Sequence, residues 1–263
     1  MQNLKIVDKS IANVYKSNTF TSEIVTQALF WEKIVIIEVK GLWNFVVLND
    51  GYSGWIHDFY LTSINVLDSN KIFDKYDYKW YWVIDSFADT YNKNFKISFG
   101  SKVPCLIFEN NLHMIHPNGL LIKISKKSLM DSNKPFEMNQ ILKNISKLNG
   151  IPYLWGGKSS FGYDCSGLIQ IISFMSNHNL PRDCSMQIKS NKLVSVKSSD
   201  ISKGDLVYFS LTENVDHVGI FLNEIDFIHS SGCVKINSTS KESNIYNSKL
   251  CDNIYNYYRF KQQ

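Results

Sequence analysis

Apolar and polar residues alternate over short runs through the first half of the chain. "IVIIEVKG" (34–41) is β-branched and largely apolar, and "WNFVVLNDGYSGWIHDFYL" (43–61) places Asn49-Asp50-Gly51 between two such runs. An Asp-Gly turn between apolar runs is a hairpin signal, so residues 11–67 are expected to form short strands closing into a small barrel. The texture repeats in "YWVIDSF", "FKISFG", "VPCLIFEN" and "LHMIHPNGLLIKIS", with Pro104 and Pro117-Asn118-Gly119 as punctuation. A second barrel-like region over 68–128 follows from position and texture, since sequence identity between the halves is weak.

The period changes near residue 131. In "DSNKPFEMNQILKNISKLNG", Ile141, Leu142, Ile145 and Leu148 recur at helical spacing and Gly150 is a stop. After the loop "IPYLWGGKSSFGYD" comes a second helical run, "CSGLIQIISFMSNHN", starting at or beside Cys165. "GDLVYFS", "DHVGIFL", "DFIHSSG" and a late "NIYNYYRFK" are strand candidates. Helices first and an antiparallel sheet second make the C-terminal part α+β. The expected organisation is thus 1–67, 68–128 and 129–263, two small β-barrels before an α+β domain.

Composition narrows the function classes. The chain has 263 residues, 44% hydrophobic and 20% charged, ordinary for a globular protein. A net charge of +4 without a run of five basic residues points away from nucleic acid. The start "MQNLKIVDKS" lacks an apolar signal-peptide core, and nowhere do eighteen apolar residues follow one another, so neither export nor a membrane partner is expected. The five cysteines (105, 165, 184, 233, 251) include no CxxC pair, which argues against a disulfide framework or zinc site and fits a reducing, cytoplasmic compartment. Nothing points to a metal or an organic cofactor.

Candidate chemistry gathers at "YDCSGLIQ" (163–170). A thiol attacks as thiolate, and its ordinary pKa near 8.5 falls at a helix N-terminus or beside an imidazolium. Cys165 has the first if the helix begins there. His217, in a β-branched strand with Gly219 allowing close approach, is the candidate base. His229 follows twelve residues later, the separation of two neighbours on a strand and its returning partner, and is the candidate orienter.

"YLWGG…DCSG", "GDLVYF", "HVGIFL" and "FIHSSG", in that order, resemble the NlpC-type papain-like cysteine peptidases that cut bacterial cell-wall peptides. The resemblance covers roughly 135–262. It implies a papain-like domain with Cys165 as nucleophile, His217 as base and His229 as orienter, and it maps the family's tyrosine near the oxyanion site onto Tyr153. Members that require a free peptide N-terminus use the Asp before the Cys, the Ser after it, and an "RDS" or "RDA" segment. These fall on Asp164, Ser166, Asp183 and Ser185 in "PRDCSMQ", with Cys184 where the family has Ser or Ala. Paired carboxylates at Asp164 and Asp183 would suit an ammonium. Residues 21–56, "DGYSGW" above all, resemble the bacterial SH3-like domains that precede this catalytic domain in recycling dipeptidyl-endopeptidases, and Tyr52 is the implied ligand contact there.

The resemblance implies a cytoplasmic γ-D-glutamyl–diamino acid endopeptidase acting on L-Ala-γ-D-Glu-diamino acid muropeptides in cell-wall recycling. The rivals are a secreted hydrolase of intact peptidoglycan, a non-catalytic wall-peptide binder, and an acyltransferase. The sequence leaves open which diamino acid is accepted and the oligomeric state.

Overall fold

A computed structural model describes residues 3–63, 69–91, 95–133 and 137–261, which fall into two compact units, Met1–Pro135 and Phe136–Gln263. The first unit is built from β1 (Asn3–Val7), β2 (Ile11–Tyr15), β3 (Ile24–Leu29), β4 (Lys33–Lys40), β5 (Trp43–Val47), β6 (Ser53–His57) and β7 (Leu61–Ser63), then α1 (Ser69–Phe73). It continues with β8 (Lys79–Val83), β9 (Lys102–Phe108), β10 (Asn111–Ile115), β11 (Leu121–Lys123) and β12 (Leu129–Asp131). β1–β7 form one antiparallel sheet in the order 3-2-6-5-4-1-7, and β8–β12 a second in the order 11-10-9-8-12. The Asn49-Asp50-Gly51 turn joins β5 to β6, with Gly51 at φ +82°. Alternation puts Val14, Ala28, Ile34, Val46 and Ile56 into the core of the first sheet. Phe30 and Trp31, at the β3–β4 turn, pack instead into the core of the second, where the Trp31 indole N–H donates to the Ile115 carbonyl at 2.8 Å.

The second unit opens with α2 (Met138–Ile145), whose buried stripe is Ile141, Leu142 and Ile145. A two-stranded ribbon follows, β13 (Lys158–Ser159) with β14 (Gly162–Tyr163), then α3 (Cys165–Met175) and α4 (Cys184–Gln187). The main sheet comprises β15 (Leu193–Val196), β16 (Leu206–Phe209), β17 (His217–Phe221), β18 (Asp226–Ser231), β19 (Cys233–Ser238) and, after α5 (Ser248–Cys251), β20 (Ile254–Phe260). It is antiparallel in the order 15-20-16-17-18-19. The unit is α+β as expected, but the sheet has six strands where the apolar runs marked four. The two extra strands, β15 and β19, are the sheet's edges.

α3 is the unit's central helix. It is buried on nearly every side, which is why "CSGLIQIISFM" reads as continuously apolar rather than amphipathic, and it packs against β17 and β18. Its third residue must be glycine. A Cβ on Gly167 would stand 2.2 Å from the Gly157 carbonyl oxygen, so the "GG" and "DCSG" segments meet backbone to backbone at the start of the helix.

Candidate active site

Asp164 starts α3. It is the N-cap, with extended backbone (φ −88°, ψ 177°), and its carboxylate accepts the Gly167 N–H at 2.6 Å. The same carboxylate takes the Gly156 N–H at 3.0 Å, the Ser166 hydroxyl at 3.3 Å, and Nη1 and Nη2 of Arg182 at 3.0 and 2.5 Å. Arg182, 2% exposed, also donates to the Ser166 hydroxyl at 2.8 Å. Five donors fill the roughly four lone-pair sites of a carboxylate, so Asp164 has none left for a ligand ammonium. This is at odds with the paired-carboxylate expectation: Asp164 holds the helix start and the arginine, which leaves Asp183 as the remaining candidate for an ammonium. Ser166, its hydroxyl already shared between Arg182 and Asp164, keeps one acceptor lone pair.

Capping sets Cys165 at the first position of α3, where unpaired backbone N–H groups converge. Its Sγ lies 4.0 Å from Cys184 Sγ and 3.7 Å from the Asp216 carbonyl oxygen. The hydrogen-bonded Cys184 S–H, helped by the His217 ring beside it, outweighs burial and pulls its thiol down to about 5. The Cys184 thiol is driven the other way, by donating to Cys165 and by burial. Tyr153 stands close by. Burial, then the charges of Cys165 and Asp164, push its phenol up to about 12, which keeps it a neutral donor. Its backbone N–H is committed to the Gly232 carbonyl at 2.9 Å, so an oxyanion role for Tyr153 belongs to the hydroxyl alone.

His217 opens β17. His229, on β18, is registered opposite Gly219 rather than opposite His217, so the two imidazoles are diagonal neighbours on one face. Gly219 makes this possible: a Cβ there would come 2.8 Å from the Phe227 ring and 3.3 Å from His229 Cβ. His217 Nε2 and His229 Nδ1 are 2.7 Å apart, and His229 Nε2 is 2.8 Å from Asn237 Oδ1. The amide of Asn237 is oriented by its own Nδ2, which donates to the Ile245 carbonyl at 2.8 Å, so Oδ1 must face His229. His229 therefore donates from Nε2, and its Nδ1 lone pair accepts from His217 Nε2–H. Burial first, and the nearby His217 next, lower the His229 pKa to about 3 and keep it neutral. What remains to His217 is Nδ1, the nitrogen left for Cys165. The relay Asn237–His229–His217–Cys165 thus fixes one tautomer throughout.

Two expected outcomes follow. Alkylation of Cys165 by iodoacetamide, mapped by peptide mass, requires the thiolate. Its rate should rise with pH through a midpoint near 5 rather than near 9, and a midpoint above 8 would contradict the geometry. Asn237→Ala releases the His229 tautomer and should cost about ten-fold or more in kcat with little change in KM, by analogy with other outer hydrogen-bond partners. Asn237→Asp, which keeps the acceptor, should recover part of that loss.

The remaining sequence candidates are placed as follows. Asp183 and Ser185 flank Cys184 at the start of α4, Asp183 half-buried and Ser185 exposed. Tyr52 lies in the β5–β6 turn of the other unit, where its backbone N–H donates to Asp50 Oδ1 at 2.9 Å. Three residues of the second unit's network escaped the sequence reading. Arg182 stands beside Asp183 in "PRDCSMQ" and was a readable basic residue. Asn237 lies in "CVKINS", whose alternating Val234 and Ile236 are a weak strand signal. Gln187, which donates to the Ser166 carbonyl at 3.2 Å and accepts from Tyr208 Oη at 3.0 Å, had none.

Residues 150–254 match the NlpC/P60 family, and residues 14–58 match the bacterial dipeptidyl-peptidase Sh3 domain. The chain is 27% identical over 245 residues to a gamma-D-glutamyl-L-lysine dipeptidyl-peptidase of Bacillus subtilis (strain 168), spanning 87% of this chain and 79% of the relative. It is 30% identical over 131 residues to the murein DD-endopeptidase MepS/murein LD-carboxypeptidase of Escherichia coli (strain K12), covering 46% of this chain and 69% of that protein. In fold it is similar to the crystal structure of an NlpC/P60 family protein from Bacillus cereus ATCC 10987, with a TM-score of 0.80, 19% identity, and 98% and 99% of the two chains covered. With a capped helix presenting Cys165 to a histidine relay and these matches in sequence and fold, the chain belongs to the NlpC/P60 family and is a cysteine peptidase of that peptidoglycan-hydrolase group.

Proposed function

We propose that the protein cleaves the γ-D-glutamyl–diamino acid bond of peptidoglycan stem peptides that carry a free N-terminal L-alanine, as a cytoplasmic step of cell-wall recycling. The observation that carries this reading is the position of Asp183. It adjoins Cys184, whose sulfur is 4.0 Å from the Cys165 sulfur, so a carboxylate stands one residue from the nucleophile's neighbour. An N-terminal ammonium paired there would bring a dipeptide's γ-carbonyl to the thiolate. The Bacillus relatives, named as dipeptidyl-peptidases and aligned over most of the chain, support the same cut. A free L-alanine amine arises only after the stem has left the glycan, which favours released fragments over intact wall.

In this mechanism the Cys165 thiolate attacks the γ-carbonyl carbon of D-glutamate, and the oxyanion is met by the Cys165 backbone N–H and the Tyr153 hydroxyl. His217, protonated at Nδ1, gives that proton to the departing diamino-acid amine, leaving a thioester on Cys165. It then takes a proton from water, which attacks the thioester and releases L-Ala-D-Glu with the thiol restored. His229 and Asn237 hold the ring throughout.

The test compares tripeptide substrates with free and acetylated N-termini, containing either lysine or meso-diaminopimelate. Acetylation removes a charge-assisted hydrogen bond worth at least ~1.5 kcal/mol, so kcat/KM should fall by about ten-fold or more, and Asp183→Asn should erase most of that difference. Equal cleavage of both forms contradicts the reading. Release of peptides from intact sacculi at a comparable rate would move the function to wall hydrolysis, the activity class that the Escherichia coli relative's name describes.

A further inference from the structure

Cys184 forms no bond in the reaction above, yet its thiol lies 4.0 Å from the nucleophile's sulfur and hydrogen-bonds to it. Both sulfurs are buried, 4.0 Å apart, each on the first residue of a helix. The two helix starts are clipped together. Arg182, two residues before Cys184, binds Asp164 and Ser166 on either side of Cys165, and Gln187, three residues after Cys184, binds the Ser166 carbonyl. The approach is therefore held by hydrogen bonds on both flanks and is not an accident of two loose loops. A disulfide spans about 2.05 Å, so the sulfurs need to close roughly half their separation for the bond to form. The other thiols are placed differently. Cys105 belongs to the other unit, buried in its core, Cys233 opens the edge strand β19, and Cys251 donates to the Ser238 carbonyl.

We propose that Cys165 and Cys184 form a redox pair in which Cys184 is the resolving thiol, closing a reversible disulfide that switches the peptidase off and spares its nucleophile from irreversible oxidation. The oxidant class is a hydroperoxide. The Cys165 thiolate attacks one peroxide oxygen; the O–O bond breaks, an S–O bond forms, hydroxide leaves, and the sulfur is oxidised by two electrons to sulfenic acid. The Cys184 sulfur then attacks that sulfur. The S–S bond forms, the S–O bond breaks, and the hydroxyl departs as water with the Cys184 proton. A dithiol reverses the step by exchange and is itself oxidised. The readily ionised Cys165 is the attacking partner and the high-pKa Cys184 the resolving one, the division of labour such pairs need. The inference rests on Cys165 as the nucleophile for its effect on activity, but not for the bond itself, which is read by mass.

The experiment treats the full chain with a small excess of hydrogen peroxide at neutral pH, blocks free thiols by alkylation, and maps peptides after trypsin, which cuts at Arg182 between the two cysteines. The wild type is expected to yield a cross-linked Cys165–Cys184 peptide lighter by two hydrogens. Peptidase activity should fall by about ten-fold or more and return with dithiothreitol. In Cys184→Ser and Cys184→Ala, each normalised to its own untreated activity, the cross-link is absent. Cys165 should there gain two or three oxygens, and the lost activity should not return with dithiothreitol. Wild-type Cys165 that is over-oxidised without a cross-link, as fast as in the variants, overturns the proposal. A cross-link that forms without loss of peptidase activity would instead overturn Cys165 as the nucleophile, so the two failures are distinguishable.

Discussion

Cys165→Ala is expected to abolish peptide cleavage, with kcat/KM falling by about 10,000-fold or more, and to leave the fold intact. No other group stands where this thiol does. The sulfur sits at the helix start, beside the His217 ring and within 4.0 Å of the Cys184 thiol. Cys165→Ser keeps the geometry but substitutes a hydroxyl that stays protonated in the same surroundings, so it should be nearly as inactive. His217→Ala should match the loss, because an unassisted leaving amine stalls the thioester step. The double variant should be no worse than either single one, since the two residues act as a unit. Additive losses would show that they do not share a step. The alanine replaces a small, nearly buried thiol, so hydrogen exchange across α3 should be little altered. A variant that is inactive because it is unfolded would be exposed by that measurement.

Arg182→Ala is expected to produce the largest loss of stability in the second unit, about 3–5 kcal/mol. The guanidinium is almost wholly buried against the Asp164 carboxylate, and removing it leaves a buried charge with only backbone N–H and hydroxyl partners. Arg182→Lys should rescue little. One ammonium cannot reproduce two parallel N–H contacts to Asp164 together with those to Ser166 and the Gly157 carbonyl. Combining Arg182→Met with Asp164→Asn removes both charges while keeping an N-cap of comparable strength, and should recover part of the loss. Hydrogen exchange of α3 peptides reads the effect where it arises. A loss below about 1 kcal/mol would place the pair among surface-like ion pairs and contradict the buried-clip description.

The pattern of the sequence reached the centre of this fold more easily than its margins. α3 and the start of the helix at Cys165 were legible because a glycine-rich loop, an Asp cap and a continuous apolar run coincide in one short stretch. The histidines were legible as a pair because strand, turn and returning strand fix their separation. Their diagonal offset across Gly219 depends on register, which spacing alone does not set. β15 and β19 were missed because both are edge strands: β15 is only four residues long with its middle two exposed, and β19 mixes apolar with polar residues and is mostly half-buried. Asn237 went with β19. The ammonium role expected of Asp164 is at odds with the structure for another reason: its partner Arg182 is eighteen residues away, and a carboxylate that looks available beside a cysteine is saturated by a contact only the tertiary fold creates. Cys184 likewise reads as a departure from a motif, and its closeness to Cys165 appears only when α3 and α4 are clipped together.

The central claim is that the Cys165 thiolate cuts the γ-D-glutamyl–diamino acid bond of a free-amine stem peptide. The most direct measurement is mass-spectrometric identification of the products formed from L-Ala-γ-D-Glu-diamino acid by the wild type and by Cys165→Ala. The account predicts L-Ala-D-Glu and the free diamino acid from the wild type, and intact tripeptide from the variant. Intact tripeptide from both, or a cut between alanine and glutamate, would contradict it.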